Sequence, residues 1–173
     1  MNVTVASPPV PVRTATGGDA TALYVLSAPF MRSGELRVRT LADYRGRATD
    51  FLIAPDPRPG PPAGCVALRP LAPEPGHPAA GLLYNLCVHP GHQGTGVGSR
   101  LLAALLDRAT DRGLRTVYAA STGSAAFFLR TGFREVPAAL APAGWTATLD
   151  PARGSRVYRH DLPPAAGPGR TLS

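Results

Sequence analysis

A chain of 173 residues with 44% hydrophobic and 17% charged residues can bury one core of ordinary size, which excludes wholesale disorder. All 18 basic residues are arginine, so a phosphate loop ending in Gly-Lys, a pyridoxal Schiff base and any lysine nucleophile are excluded. Eleven acids leave a formal charge of +7; with two Asn, one Gln and one Ile in the whole chain, the excess reads first as compositional bias and second as suited to acidic ligands.

Residues 1–9 read as a flexible arm and 163–173, PPAAGPGRTLS, as a disordered tail, with a single domain over 10–162 between them. Within the domain, Val10–Thr14 predicts a strand and Asp19–Ala28 a helix that Pro29 stops, followed by a second helical stretch around Leu36–Arg47. Asp50–Ala54 and Gly64–Leu71 predict a hairpin across the proline-rich connector PDPRPGPP. The run Leu82–Val88, apolar but for Asn85, predicts a central strand covered on both faces. Val97, Leu101, Leu102, Leu105, Leu106 and Ala109 then share one helical stripe that Gly113 closes. A strand at Thr116–Ala120, a short helix at Ser124–Thr131 and a last strand at Arg156–Asp161 complete an α+β order. Cys65 and Cys87 sit in apolar runs without metal-ligand spacing, which predicts buried, reduced thiols and no metal site. The N-terminus lacks a charged n-region and no apolar run reaches membrane-spanning length, so the expectation is a cytoplasmic protein that engages no membrane.

The strand ending at Val88 passes through HPGHQ into Gly94-Thr95-Gly96-Val97-Gly98 and directly into the amphipathic helix. Alternating glycines permit a tight turn and close approach of a phosphate, and the helix start adds free amides and the positive end of the dipole. A plain turn before a helix has the same composition. A dinucleotide fold fits poorly, because the next strand, TVYAAS, carries no acid for a ribose.

The stretch V-H-P-G-H-Q-G-T-G-V-G-S-R-L-L resembles the acetyl-coenzyme A motif of the GNAT superfamily of N-acetyltransferases, with Gln93, Gly96 and Gly98 at its defining positions. A-F-F-L-R-T-G-F, 126–133, is similar to the family's following helix and Gly-Phe close. The resemblance implies a GNAT fold, in which a mixed, mostly antiparallel central sheet is flanked by helices. It implies acetyl-CoA as cofactor, its pyrophosphate on the loop of Gln93, Gly94, Thr95, Gly96, Val97, Gly98 and Ser99. A bulge at about 85–88 would meet the pantetheine arm through Leu86, Cys87 and Val88, and Phe128 would border the same site.

One branch resembles the chain further: the acetyltransferase domain of N-acetylglutamate synthases. Arg32-Ser33-Gly34-Glu35-Leu36 is similar to that branch's R-S-x-E-x-L segment, the Phe127-Phe128 pair stands where other relatives have Tyr, and Arg153-Gly154-Ser155-Arg156-Val157 with Asp161-Leu162 is similar to its C-terminal strand. The resemblance implies that Arg32, Asn85, Arg153 and Ser155 bind an amino-acid acceptor, its carboxylates clamped by the two guanidinium forks. The alternative is that these are surface arginines of an arginine-rich chain. The expected activity is transfer of acetyl to the α-amine of glutamate or a related amino acid by direct attack in a ternary complex. Another small-molecule amine, a protein N-terminus or a non-catalytic acyl-CoA-binding module are the alternatives. No nucleic acid is expected as a partner, and the oligomeric state is open, a homodimer being compatible with the sequence.

Ser124 aligns with a serine assigned as the acid in that branch; helix N-capping is its other reading. The branch's Glu base falls at Leu82, which cannot accept a proton, leaving water, Glu74, His77 or, less suitably, Tyr84. Cys87 has no His on its strand to activate it, so no acyl-cysteine is expected. Arg100, in the first turn of the helix, is a candidate for the cofactor's phosphates. Larger members of the branch carry a regulatory domain for which 173 residues leave no room, so arginine feedback through it is not expected.

Overall fold

The structure, a computed structural model, describes residues 9–164, so the arm and tail expected at 1–9 and 163–173 lie almost wholly outside the described residues. Seven strands form one sheet: β1 (Arg13–Thr14), β2 (Phe51–Ala54), β3 (Gly64–Pro70), β4 (Ala80–Val88), β5 (Thr116–Ser121), β6 (Arg134–Val136) and β7 (Arg156–Asp161), in the spatial order β1-β2-β3-β4-β5-β7-β6. The helices are α1 (Ala20–Arg32), α2 (Leu41–Gly46), α3 (Val97–Asp111), α4 (Ala125–Arg130) and α5 (Ala143–Thr146). Every pairing is antiparallel except β4 with β5, and the apolar β4 takes the central position that its sequence predicts.

The helices cover the two faces of the sheet. Leu23, Leu26, Met31 and Tyr44 of α1 and α2 pack on one face with Phe51, Cys65, Ala67, Leu82 and Tyr84. Val97, Leu101, Leu102, Leu105 and Ala109 of α3 pack on the other with Val66, Leu68 and Leu83. Burying each of these leucines contributes about 1.5–3 kcal/mol. The stripe on α3 and the stop at Gly113, which takes φ +74, agree with the sequence pattern.

Two elements differ from expectation near the site. Helix α1 does not stop at Pro29 but runs on to Arg32, and Gly34, at φ +82, turns the chain out of it. Pro29 forfeits only the bond to the carbonyl of Val25, an exposed residue whose carbonyl can turn to water, while Met31 gains burial. The second helix shrinks to Leu41–Gly46 because Thr40 and Asp43 form a reciprocal capping box that sets its start. Residues 36–40 are thereby left non-helical beside the sheet. The strand β6 and helix α5 had no signal strong enough to be expected; three and four residues are too few to establish a period.

Candidate active site

Two features of β4 create a cleft. Its parallel pairing with β5 covers only Ala80–Leu82 against Thr116–Tyr118, although both strands continue, and β5 instead pairs with β7 through all six of its residues. Beyond Leu82 the two strands part. On its other side β4 carries a bulge: Cys65 pairs with Cys87 and Ala67 with Tyr84, so Asn85 and Leu86 together oppose Val66. The extra residue reverses the alternation of faces. Leu82 and Tyr84 point to the α1 side before it and Cys87 after it. The bulge lies at 85–86, at the near end of the predicted span.

Asn85 holds the bulge at φ +52, a conformation Asn tolerates better than most residues. Its side chain is fully engaged: Tyr44 Oη donates to Oδ1 at 2.8 Å, Arg39 Nη1 donates to the same oxygen at 3.3 Å, and Nδ2 donates to Ser27 Oγ at 3.0 Å. Asn85 borders both the cleft and the smaller pocket beside it, but as the anchor of the bulge, with its side-chain amide spent on these bonds and 4% of the residue exposed.

The cleft has a volume of about 650 Å³ and is bordered by Leu83–Val88 of β4, by Ala120 and Ser121 of β5, by the glycine loop and by α4. Of the predicted cofactor residues, Leu86, Cys87, Val88, Gln93, Gly94, Gly96, Val97, Gly98, Ser99 and Phe128 all border it. Thr95 does not; its hydroxyl donates to the carbonyl of His92 and closes the loop on itself. Gly94 and Gly96 stand at φ +76 and +86, where a side chain would be strained, and Gly96 caps α3 without covering its first amides. Gly98 lies close to α4: a Cβ there would come within 3.3 Å of the Phe127 ring, which would have to give by a few tenths of an ångström. The loop is fastened at both ends. Gln93 Nε2 donates to Val88 O at 3.2 Å, and His92 Nε2 lies 2.6 Å from Asp56 Oδ2 on the β2–β3 connector. The backbone amide of Arg58 and the His92 ring hold the Asp56 carboxyl down at about 2. The donor set at this end, free helix amides without an acid among them, suits a phosphate group.

Phe128 is buried, stacked on Tyr158 at 5.0 Å, and supplies no hydroxyl. Ser124 sits at the N-cap of α4 but makes no capping bond with its side chain, and it borders the cleft. Arg100 turns away from the loop and donates to Val10 O, which removes it from the phosphate candidates.

A second, smaller pocket of about 100 Å³ joins the cleft where β4 and β5 separate. Four guanidinium groups border it: Arg37, Arg39, Arg69 and Arg153, against the acids Glu35 and Asp150. Arg153 and Ser155 both border it. Arg32 does not: it lies exposed at the end of α1 and borders neither pocket, because α1 runs one turn further than expected. Arg39 takes its place, half-buried, with its guanidinium 5.1 Å from the centre of the Tyr84 ring, and Arg69 lies 5.6 Å from the same ring. Tyr84 Oη donates to Asp50 Oδ2 at 2.6 Å; burial and that bond raise its phenol well above the usual range, which disqualifies it as a base. Arg153 Nη2 donates to the carbonyl of Gly34 at 2.9 Å.

The other base candidates fall away. Glu74 caps α5 by accepting from the amides of Ala143 and Gly144, and neither it nor His77 borders either pocket. Leu82 borders the smaller pocket as a buried leucine. Sequence reasoning missed Arg39 and Arg69, though both left signals. The Thr-x-x-Asp box fixes Arg39 just outside a helix start, and alternation from Cys65 and Ala67 puts Arg69 on the covered face of β3. Cys65 and Cys87 are free, buried thiols 3.7 Å apart, as expected. Among the described residues no three His, Cys, Asp or Glu side chains gather as a metal site.

Residues 21–133 match the family model for acetyltransferases of the GNAT family. The amino-acid acetyltransferase of Ectopseudomonas mendocina is 30% identical over 151 residues, which is 87% of this chain and 34% of that protein. The amino-acid acetyltransferase of Neisseria meningitidis is 30% identical over 125 residues, 72% of this chain and 27% of its own. The chain thus spans about a third of the length of the curated relatives it matches. Among solved structures, N-acetylglutamate synthase from Neisseria gonorrhoeae, complexed with coenzyme A and N-acetyl-glutamate, superposes with a TM-score of 0.80 at 26% identity, covering 91% of this chain and 36% of that one. A Mycobacterium tuberculosis protein solved with CoA shares the fold at a TM-score of 0.74 and 24% identity, covering 90% of this chain and 100% of its own.

Proposed function

The chain belongs to the acetyltransferase (GNAT) family, and from that premise we propose that it acetylates the α-amine of glutamate or a closely related dicarboxylic amino acid. Family membership supplies the donor and the reaction class: it is an acetyl-CoA-dependent N-acetyltransferase. The observation that carries the choice of acceptor is the pocket where β4 and β5 part, bordered by four arginines and two acids. Two carboxylates on an acceptor match that excess, and planar guanidinium forks suit carboxylates bidentately. A volume of about 100 Å³ suits one amino acid rather than a polypeptide end or a large cationic antibiotic.

Acetyl-CoA, when bound, supplies the activated thioester carbonyl. The amides of 94–99 at the start of α3 would hold its pyrophosphate, and the bulged end of β4 would lie along its pantetheine arm, because the bulge leaves backbone groups outside the β3 ladder. Arg39, Arg69 and Arg153 would fix the acceptor, so that amine and carbonyl meet without a covalent enzyme intermediate. Ser124, whose hydroxyl is free of the capping role, would protonate the departing sulfur. A reducing, cytoplasmic setting is part of the same proposal, in keeping with two buried free thiols.

The test is an acceptor screen with mass-spectrometric identification of the acetylated product. The expected result is turnover of L-glutamate or another dicarboxylic amino acid well above that of neutral or cationic amines. Preference for an amine lacking a carboxylate would overturn the assignment of acceptor.

A further inference from the structure

We propose that Glu35 is the general base that removes the proton from the acceptor's ammonium group. The inference rests on the acetyl-transfer reading above but not on the identity of the acceptor. Any amine must arrive where the larger cleft meets the smaller pocket, and few residues border both. Two of these can titrate: Glu35 and Tyr84. Tyr84 holds its proton against Asp50 and is raised by burial, so the carboxylate of Glu35 is the proton acceptor at the junction.

The neighbouring groups sharpen the assignment. His92 borders only the cofactor end, with Nε2 against Asp56. Asp150 borders only the acceptor pocket, where its carboxylate accepts from the amide of Ala152. Arg37, Arg39, Arg69 and Arg153 are cations and cannot take a proton. The layout of charge also orients an amino acid: its carboxylates are drawn to the guanidinium groups and its ammonium to Glu35, on the side that opens to the donor cleft.

Although Glu35 lies in a loop, that loop is tied at several points. Gly34 turns it out of α1, Leu36 N donates back to Phe30 O at 3.0 Å, and Arg153 Nη2 donates to Gly34 O and, at 3.4 Å, to Glu35 O. Ser33 Oγ donates to Glu35 Oε1 at 3.0 Å, which leaves Oε2 for the incoming amine. The Arg153 side chain thus fixes the base through the main chain while its charge serves the acceptor.

The proton balance closes. Glu35 takes one proton from the ammonium and later releases it to water. The free amine attacks the thioester carbon; a carbon–nitrogen bond forms, and the carbon–sulfur bond breaks with its electron pair on sulfur. The second nitrogen proton neutralises the sulfur, with Ser124 as carrier. The products are the amide, a free thiol and one proton.

The experiment follows thiol release from acetyl-CoA by wild type, Glu35→Gln and Glu35→Asp between pH 6 and 10, with L-glutamate and a panel of amino acids and small amines. Coenzyme A affinity is measured in parallel. Glu35→Gln should lower kcat about 100-fold at pH 7, the size of a general-base contribution, and leave coenzyme A affinity unchanged. The deficit should shrink as pH rises and the amine loses its proton in bulk water, and Glu35→Asp should recover part of the rate. A Glu35→Gln variant within twofold of wild type, a deficit that does not change with pH, or a loss of coenzyme A binding would each overturn the proposal. If L-glutamate is inert while another amine reacts, the choice of acceptor fails alone, and the Glu35 comparison is made with that amine. Silence of wild type toward the whole panel would overturn both.

Discussion

The cleft proposed for the donor and the pocket proposed for the acceptor share strand β4, yet they are built from different materials. The larger cleft is largely main chain: a bulge, two glycines at positive φ, a third close against the Phe127 ring, and the uncovered amides of α3. Most of it comes from one continuous stretch, 83–99. The smaller pocket is distinguished by charged side chains, four arginines and two acids, brought to β4 and β5 from the loop after α1, from β3, from the 145–150 region and from the approach to β7. Backbone that grips a phosphate serves any acceptor, whereas long side chains on separate segments can be exchanged singly. The difference teaches where this molecule holds its common chemistry and where it holds its specificity.

If that division is right, changes in one region should leave the other's ligand untouched. Arg39→Ala should have the largest effect, lowering kcat/KM for a dicarboxylic amino acid about 100-fold, in line with about 1.5–3 kcal/mol for a hydrogen bond to a charged group. Its affinity for coenzyme A, measured by calorimetry, should stay within twofold. Gly96→Val should do the reverse, weakening coenzyme A about 30-fold, since a β-branched residue at φ +86 costs roughly 1–2 kcal/mol and distorts the loop; an unchanged coenzyme A affinity would break the comparison. Ser124→Ala should reduce kcat about 10-fold with both ligands bound normally, a small effect because a thiol with pKa near 8.5 leaves readily even without its proton.

The smallest effect concerns the scaffold under Arg39. The amide and then the hydroxyl of Thr40 hold the Asp43 carboxyl below the ordinary carboxylate range. A lowered carboxyl stabilises the fold above its unfolded value and loses that contribution as acid protonates it, so the cap is complete at pH 7 and fades on acidification. Asp43→Asn should therefore melt slightly below wild type at pH 7 and show a smaller gap at pH 3, by thermal unfolding. At pH 7 it should raise the acceptor KM and leave coenzyme A alone.

The comparison also explains what could be read from the sequence. The loop from Gln93 to Ser99 stood out by its alternating glycines ahead of an apolar helix stripe, a pattern a plain turn shares, and it was assigned by its likeness to a known motif; all of that information is local. The seven residues Leu82–Val88, apolar but for Asn85, announced a central strand, which the structure extends back to Ala80. Arg153 and Ser155 were placed by their likeness to a known C-terminal strand. Arg32 was assigned by its likeness to the R-S-x-E-x-L segment; in the structure α1 runs one turn past the expected stop and carries Arg32 out to solvent, while Arg39 borders the smaller pocket. Glu35 stood within the quoted segment but had no assigned chemistry, since nothing in its neighbours tells which pockets it will border.

The sequence by itself determined the covered central strand, the glycine loop and the helix behind it, because backbone preference, glycine and hydrophobic period act over a few residues at a time. Only the tertiary structure decided that β4 and β5 part after Leu82, that Asn85 turns inward, and that Arg39, Arg69 and Arg153 converge beside Glu35. Those outcomes depend on strand register and on the meeting of segments more than a hundred residues apart, as when Arg153 reaches the carbonyl of Gly34. No local propensity encodes such a distance.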